Sequence, residues 1–178
     1  MEDIGTLGTS GFNFVLMKEY LDTASYVRLT QLQKRVLDCL RLSTGKSFDW
    51  KGLNVTEENS YLSLSTSNVV STCPFSIFFY LDDDQMVQFY LNYGAAVMEQ
   101  ELRTESDVQM AVQCILDILK SEIKEIATYY GSKLTSVRYE FTLVVDGKEE
   151  PAAHSTHKGI PLLWRKKEVS VKTYKPWI

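Results

Sequence analysis

The sequence predicts an α+β fold: an antiparallel sheet of about five strands, with a long helix at about residues 105–130 and an N-terminal helix packed on one face. Three observations lead there. Apolar residues recur at steps of three and four in two separate stretches, which is the period of a helix with one buried face. Between and after those stretches they alternate with polar residues, which is the period of a half-buried strand. The alternating runs follow one another through short turns, as antiparallel hairpins allow and parallel crossovers do not. With 178 residues, 44% hydrophobic and 12% aromatic, the chain has material for one core, so a single domain over 1–178 is expected.

The elements are read in chain order. Phe12 to Leu21 reads as a short helix. Thr23 to Leu42 repeats Leu29, Leu32, Val36, Leu37 and Leu40 at helical spacing and closes at Ser43-Thr44-Gly45, where glycine suits a helix end. Tyr61 to Ser65 alternates Leu62 and Leu64 with serines, as a strand does. Pro74 to Gly94, PFSIFFYLDDDQMVQFYLNYG, reads as a hairpin. Phe75, Ile77, Phe79 and Leu81 project to one side against Val87, Phe89 and Leu91, a face expected to pack on the long helix. Ser76, Phe78, Tyr80, Met86, Gln88 and Tyr90 take the other side. Thr104 or Ser106 caps the long helix, which carries Val108, Ala111, Val112, Ile115, Ile118, Leu119, Ile123, Ile126 and Tyr130 to its end at Gly131. At 1.5 Å per residue it spans about 40 Å, enough to cross a sheet. Val137, Tyr139, Phe141, Leu143 and Val145 then alternate up to an Asp146-Gly147 turn. Glu149 to Leu163 lacks a period and reads as a surface loop. A last strand, Glu168 to Tyr174, is expected to turn Val169 and Val171 toward the core.

Charge is unevenly spread. Residues 1–157 hold 13 Lys and Arg against 22 Asp and Glu, whereas residues 158–178 hold 6 against 1. An acidic body repels phosphate backbones, so nucleic acid is not expected as a partner except through the tail. There, Trp164, Tyr174 and Trp177 interleave with lysines, as they do on single-strand binding surfaces; an edge strand guarded by lysines, with aromatics closing the core, accounts for the same pattern. Cys39, Cys73 and Cys114 are an odd number without close spacing and read as buried reduced thiols. The opening residues place acids where a secretion signal needs bases, and Phe14 to Met17 is too short an apolar run to span a bilayer. A reducing cytoplasm, with no membrane, is the expected setting.

The candidate chemistry is sparse. Thr44 to Ser47, TGKS, matches the end of a phosphate loop, but Leu40 stands where its first glycine belongs and a helix precedes it instead of a strand. His154 and His157, three apart, lack the further ligands that a zinc site requires, so no metal is expected. Cys73 at a strand entrance has no partner histidine in evidence, and no nucleophile elbow occurs. No catalytic residue and no cofactor are assigned, and the protein is not expected to be an enzyme.

The remaining signal is Asp82, Asp83 and Asp84 at the hairpin tip. Their spacing does not fit a calcium loop, which spreads its oxygens over about a dozen residues. Aspartate suits a tight solvated turn, yet three adjacent like charges repel one another and would be relieved by a basic partner. Asp82, Asp83 and Asp84, flanked by Tyr80 and Tyr90, are therefore the expected partner-binding residues. The functional expectation is a protein-binding or inhibitor module that covers a basic partner, as immunity and anti-defence proteins do. The alternatives are a small-molecule binder or enzyme with a pocket between helix and sheet lined by Phe78, Tyr80 and Tyr90, and an acidic secretion-type chaperone.

Overall fold

In the computed structural model, residues 23–66, 72–81, 85–92, 95–145, 147–161 and 164–178 are described. The helix expected at residues 12–21 lies outside them. The chain begins with α1 (Thr23–Arg28) and α2 (Gln31–Thr44), and a short 3₁₀ turn, Trp50–Gly52, leads into the strands. Five follow: β1 (Leu53–Glu57), β2 (Tyr61–Thr66), β3 (Phe75–Tyr80), β4 (Met86–Leu91) and β5 (Ala95–Glu101). Then come α3 (Glu105–Lys120), β6 (Ile123–Tyr130), β7 (Lys133–Val145), β8 (Lys148–His157) and β9 (Lys167–Tyr174).

The α+β class holds, with two antiparallel sheets where one of about five strands was expected. The first is a five-stranded meander in the order β1-β2-β3-β4-β5; the second has four strands in the order β8-β7-β6-β9, so β9 returns to lie beside β6. Inner residues of both sheets and the apolar faces of α2 and α3 form one continuous hydrophobic core. The helices pack on each other, and α3 also contacts β5 and β7.

Local chemistry explains the helix limits. The N-cap Thr30 accepts from Gln33 N, and Gln33 returns the bond by accepting from Thr30 N, so two donors at the start of α2 are met. Thr104 and Asp107 do the same for α3. The glycine ending α2 is Gly45, with φ +53° and its N–H on Arg41 O.

The long helix is shorter than its apolar period suggests: it stops at Lys120, and residues 123–130 form β6. Ser121 makes the break. Its backbone is extended, and its hydroxyl sits 2.7 Å from Asp117 O and 2.8 Å from Thr142 O, tying the end of the helix to β7. Beyond it Ile123, Glu125 and Ala127 are buried in alternation, a period of two; Ile126, which helical spacing would set beside Ile123, falls on the opposite face and is only half-buried. β-branched and aromatic residues in IKEIATYY favour the strand.

Two further expectations are overturned. Glu149 to Leu163 is not a loop: its first part belongs to β8, paired with β7 from Val145↔Lys148 to Ser136↔His157 across a turn in which Gly147 takes φ +75°. In β9 the valines face outward. Register places Val171 opposite Ile126 and Val169 opposite Thr128, while Tyr174, opposite Ile123, takes the buried side.

Candidate functional site

The β3–β4 hairpin forms in the expected register, with Phe75↔Leu91, Ile77↔Phe89 and Phe79↔Val87 buried in the core. Alternation then sends Phe78, Tyr80 and Tyr90 to the opposite side of the sheet. They do not line the space between sheet and helices, which corrects the pocket expected there. Their neighbours come from across the strands: Tyr61 lies opposite Tyr80, Ser63 opposite Phe78, Phe78 opposite Gln88, and Gln88 opposite Glu99.

The result is a connected aromatic layer. The Phe78 ring lies 5.2 Å from that of Tyr61 and 5.0 Å from that of Tyr90, edge-on to the latter, and the Tyr61 and Tyr80 centroids are 6.4 Å apart. Ser63 and Gln88, on this same face, are only 6% and 7% exposed. A polar relay runs through the layer: the Tyr90 hydroxyl donates to Gln88 Oε1, and Gln88 Nε2 donates to Glu99 Oε1. Burial, followed by the adjoining Tyr80 phenol, pushes the Tyr90 hydroxyl up to about 12, so it stays a neutral donor at ordinary pH.

The stalks of the acidic tip are anchored. Gln33, at the start of α2, donates from Nε2 to Tyr80 O at 2.6 Å and to Met86 O at 3.4 Å, gripping the last residue of β3 and the first of β4. Leu81 N donates to Ser60 O at 2.8 Å, and Leu102 N to Gln85 O at 3.2 Å. Gln85 takes φ +45°, a conformation uncommon outside glycine. Asp82, Asp83 and Asp84 lie outside the described residues, between these anchors. Thus Tyr80 and Tyr90 share one face, joined through Phe78 and Tyr61, while Glu99 and Glu101 come from β5, a strand the sequence does not announce.

Other candidates resolve into structure. TGKS is a helix terminus: Thr44 Oγ1 donates to Leu40 O and accepts from Trp50 Nε1 at 2.8 Å. His154 and His157 sit on β8, opposite Tyr139 and Ser136. All three thiols are free. Burial, then the Glu125 carboxylate, pushes Cys73 up to about 12, and burial pushes Cys114 up to about 11. Among the described residues, no group of three or more His, Cys, Asp and Glu converges as a metal site, and no helix is long and apolar enough to cross a membrane. A recess of about 250 Å³ opens elsewhere, between the end of α2, β1 and the C-terminal tail, with Ser47, Phe48, Asp49, Thr66 and Trp177 among its lining.

No protein-family model, curated protein or solved structure matches this chain.

Proposed function

We propose that this protein binds another protein bearing a basic surface and inhibits it by covering that surface, as immunity and anti-defence proteins do. The observation that carries this reading is the layer of Tyr61, Phe78, Tyr80 and Tyr90 on the side of the sheet turned away from the core, with Glu99 and Glu101 beside it. Interfaces concentrate their energy in a few large aromatic side chains at the centre, while charges at the rim steer the encounter. Tyr80 and Tyr90 take the first role, and Asp82, Asp83 and Asp84 the second. The compartment assigned by this reading is the cytoplasm, where free thiols persist.

The test is capture of the partner from the native host at low and high salt, followed by binding kinetics on the purified pair. Tyr90→Ala is expected to weaken binding by about 30-fold, mainly through faster dissociation. Changing Asp82, Asp83 and Asp84 together to asparagine is expected to slow association and flatten its salt dependence, leaving dissociation unchanged. Affinity that survives both changes removes the reading.

The recess beside Trp177 favours a second reading, a small-molecule binder. A metabolite that raises the melting temperature in a thermal-shift screen, and ceases to do so in Trp177→Ala, would select it.

A further inference from the structure

Among the described residues, nothing pairs with the outer edge of β9 in the second sheet. Among them β9 hydrogen-bonds to β6 on one side only, and residues 167–173 are all exposed. Val169 and Val171, at 54% and 56% exposure, stand beside Ile126 on the outer face. β-branched side chains in that position gain from a further strand that covers them.

We propose that the occupant of this edge is a second copy of the chain, joined antiparallel through β9 with Ser170 on the two-fold axis, so that two four-stranded sheets become one of eight. The strand is complementary to itself in this register. Glu168 meets the partner's Lys172, Val169 meets the partner's Val171, and Ser170 meets the partner's Ser170. Each of the first two contacts occurs twice, as an isologous interface requires. Four valines then adjoin on the outer face, flanked by Ile126 of each copy.

The register is selected by charge. Opposed residues must share a face, so the alternatives lie two residues away in either direction. One sets Val171 against the partner's Val171 and leaves Glu168 facing the partner's Tyr174. The other sets Lys166 against the partner's Lys172, like against like. Edge lysines ordinarily repel a neighbouring strand. In the proposed register Lys172 meets a carboxylate, so this barrier falls for a second copy in this alignment. Among the described residues, Glu168 is held by the exposed Lys166 alone, at 3.2 Å, and its carboxylate can accept from another donor.

This pairing uses a surface separate from the aromatic face, and does not rest on the function proposed for it. Sedimentation velocity on the full chain over a concentration series tests it. The wild-type protein is expected to reach twice the monomer mass. Glu168→Lys and Lys172→Glu each turn two opposite-charge pairs into two like-charge pairs, and each is expected to raise the dissociation constant about tenfold or more. Mixing the two variants is expected to restore the double mass, since one then presents only lysines and the other only glutamates at these positions. Ser170→Cys supplies a second measurement: oxidation is expected to join two copies through that thiol. A wild-type chain that stays monomeric throughout overturns the proposal. So does a dimer untouched by the charge changes, or one in which Ser170→Cys does not cross-link.

Discussion

Glu125 is 5% exposed, and its Oε2 accepts from Asn92 Nδ2 at 2.9 Å and from the Tyr174 hydroxyl at 3.3 Å. One carboxylate therefore joins the end of the first sheet to two strands of the second. Glu125→Ala would remove the acceptor that Asn92 and Tyr174 share and is expected to cost about 3 kcal/mol in urea unfolding, with Glu125→Gln closer to wild type because it keeps an acceptor. Nearby, Cys73 is held up at about 12 against an ordinary 9.0. The folded thiol keeps its proton where the unfolded one has lost it. Its contribution is therefore fully present below pH 9 and is withdrawn as pH rises to 12, by up to about 4 kcal/mol. Cys73→Ala is expected to flatten stability against pH in that window, and iodoacetamide is expected to reach Cys73 only on unfolding. The role of Glu125 was hidden in the sequence for a definite reason. On a helix it falls between apolar positions and reads as solvated; on β6 it is in phase with Ile123 and Ala127 and turns inward.

The sequence offered Thr104 or Ser106 as the cap of α3; the structure selects Thr104, and its worth can be measured. Thr104→Ala is expected to cost about 1 kcal/mol, read as a lower urea midpoint. Gln33 is a stronger case. It caps α2 and also grips Tyr80 O and Met86 O, so Gln33→Leu is expected to cost about 2 kcal/mol and to speed hydrogen exchange at Leu81 and Gln85. The central hairpin and β7 were readable because both insert one face into the core, and burial writes a period of two. β1, β5 and β8 were not, and all three are edges of their sheets; β9, the fourth edge, was read as a strand but with its inner and outer faces exchanged. An edge strand is specified largely by backbone pairing with one neighbour, which leaves little trace in side chains such as those of Lys148 to Ala153. The aromatic site was legible to the same extent: Tyr80 and Tyr90 follow from the hairpin's alternation, but the contributions of Tyr61 and Glu99 depend on cross-strand registers that local pattern does not contain.

Across the molecule, the C-terminal tail closes the structure. Trp177 lies edge-on to Phe75 with centroids 5.0 Å apart, and its backbone N–H donates to Leu119 O at 2.9 Å, so one residue touches the first sheet's core and the end of α3. The basic residues of the tail are thus carried on an element fastened to an otherwise acidic body, and Tyr174 and Trp177 pack on the core as an edge-strand reading requires, whereas Trp164, 82% exposed, does not. β6, flanked by β7 on one side and β9 on the other, gives this arrangement a temporal side. A growing polypeptide releases β6, β7 and β8 from the ribosome well before β9, and in that interval the inner strand of the finished sheet is an open template for neighbouring nascent chains. Translation arrested before Lys167 should yield aggregates that pellet on centrifugation, whereas release after Tyr174 should leave the product in the supernatant.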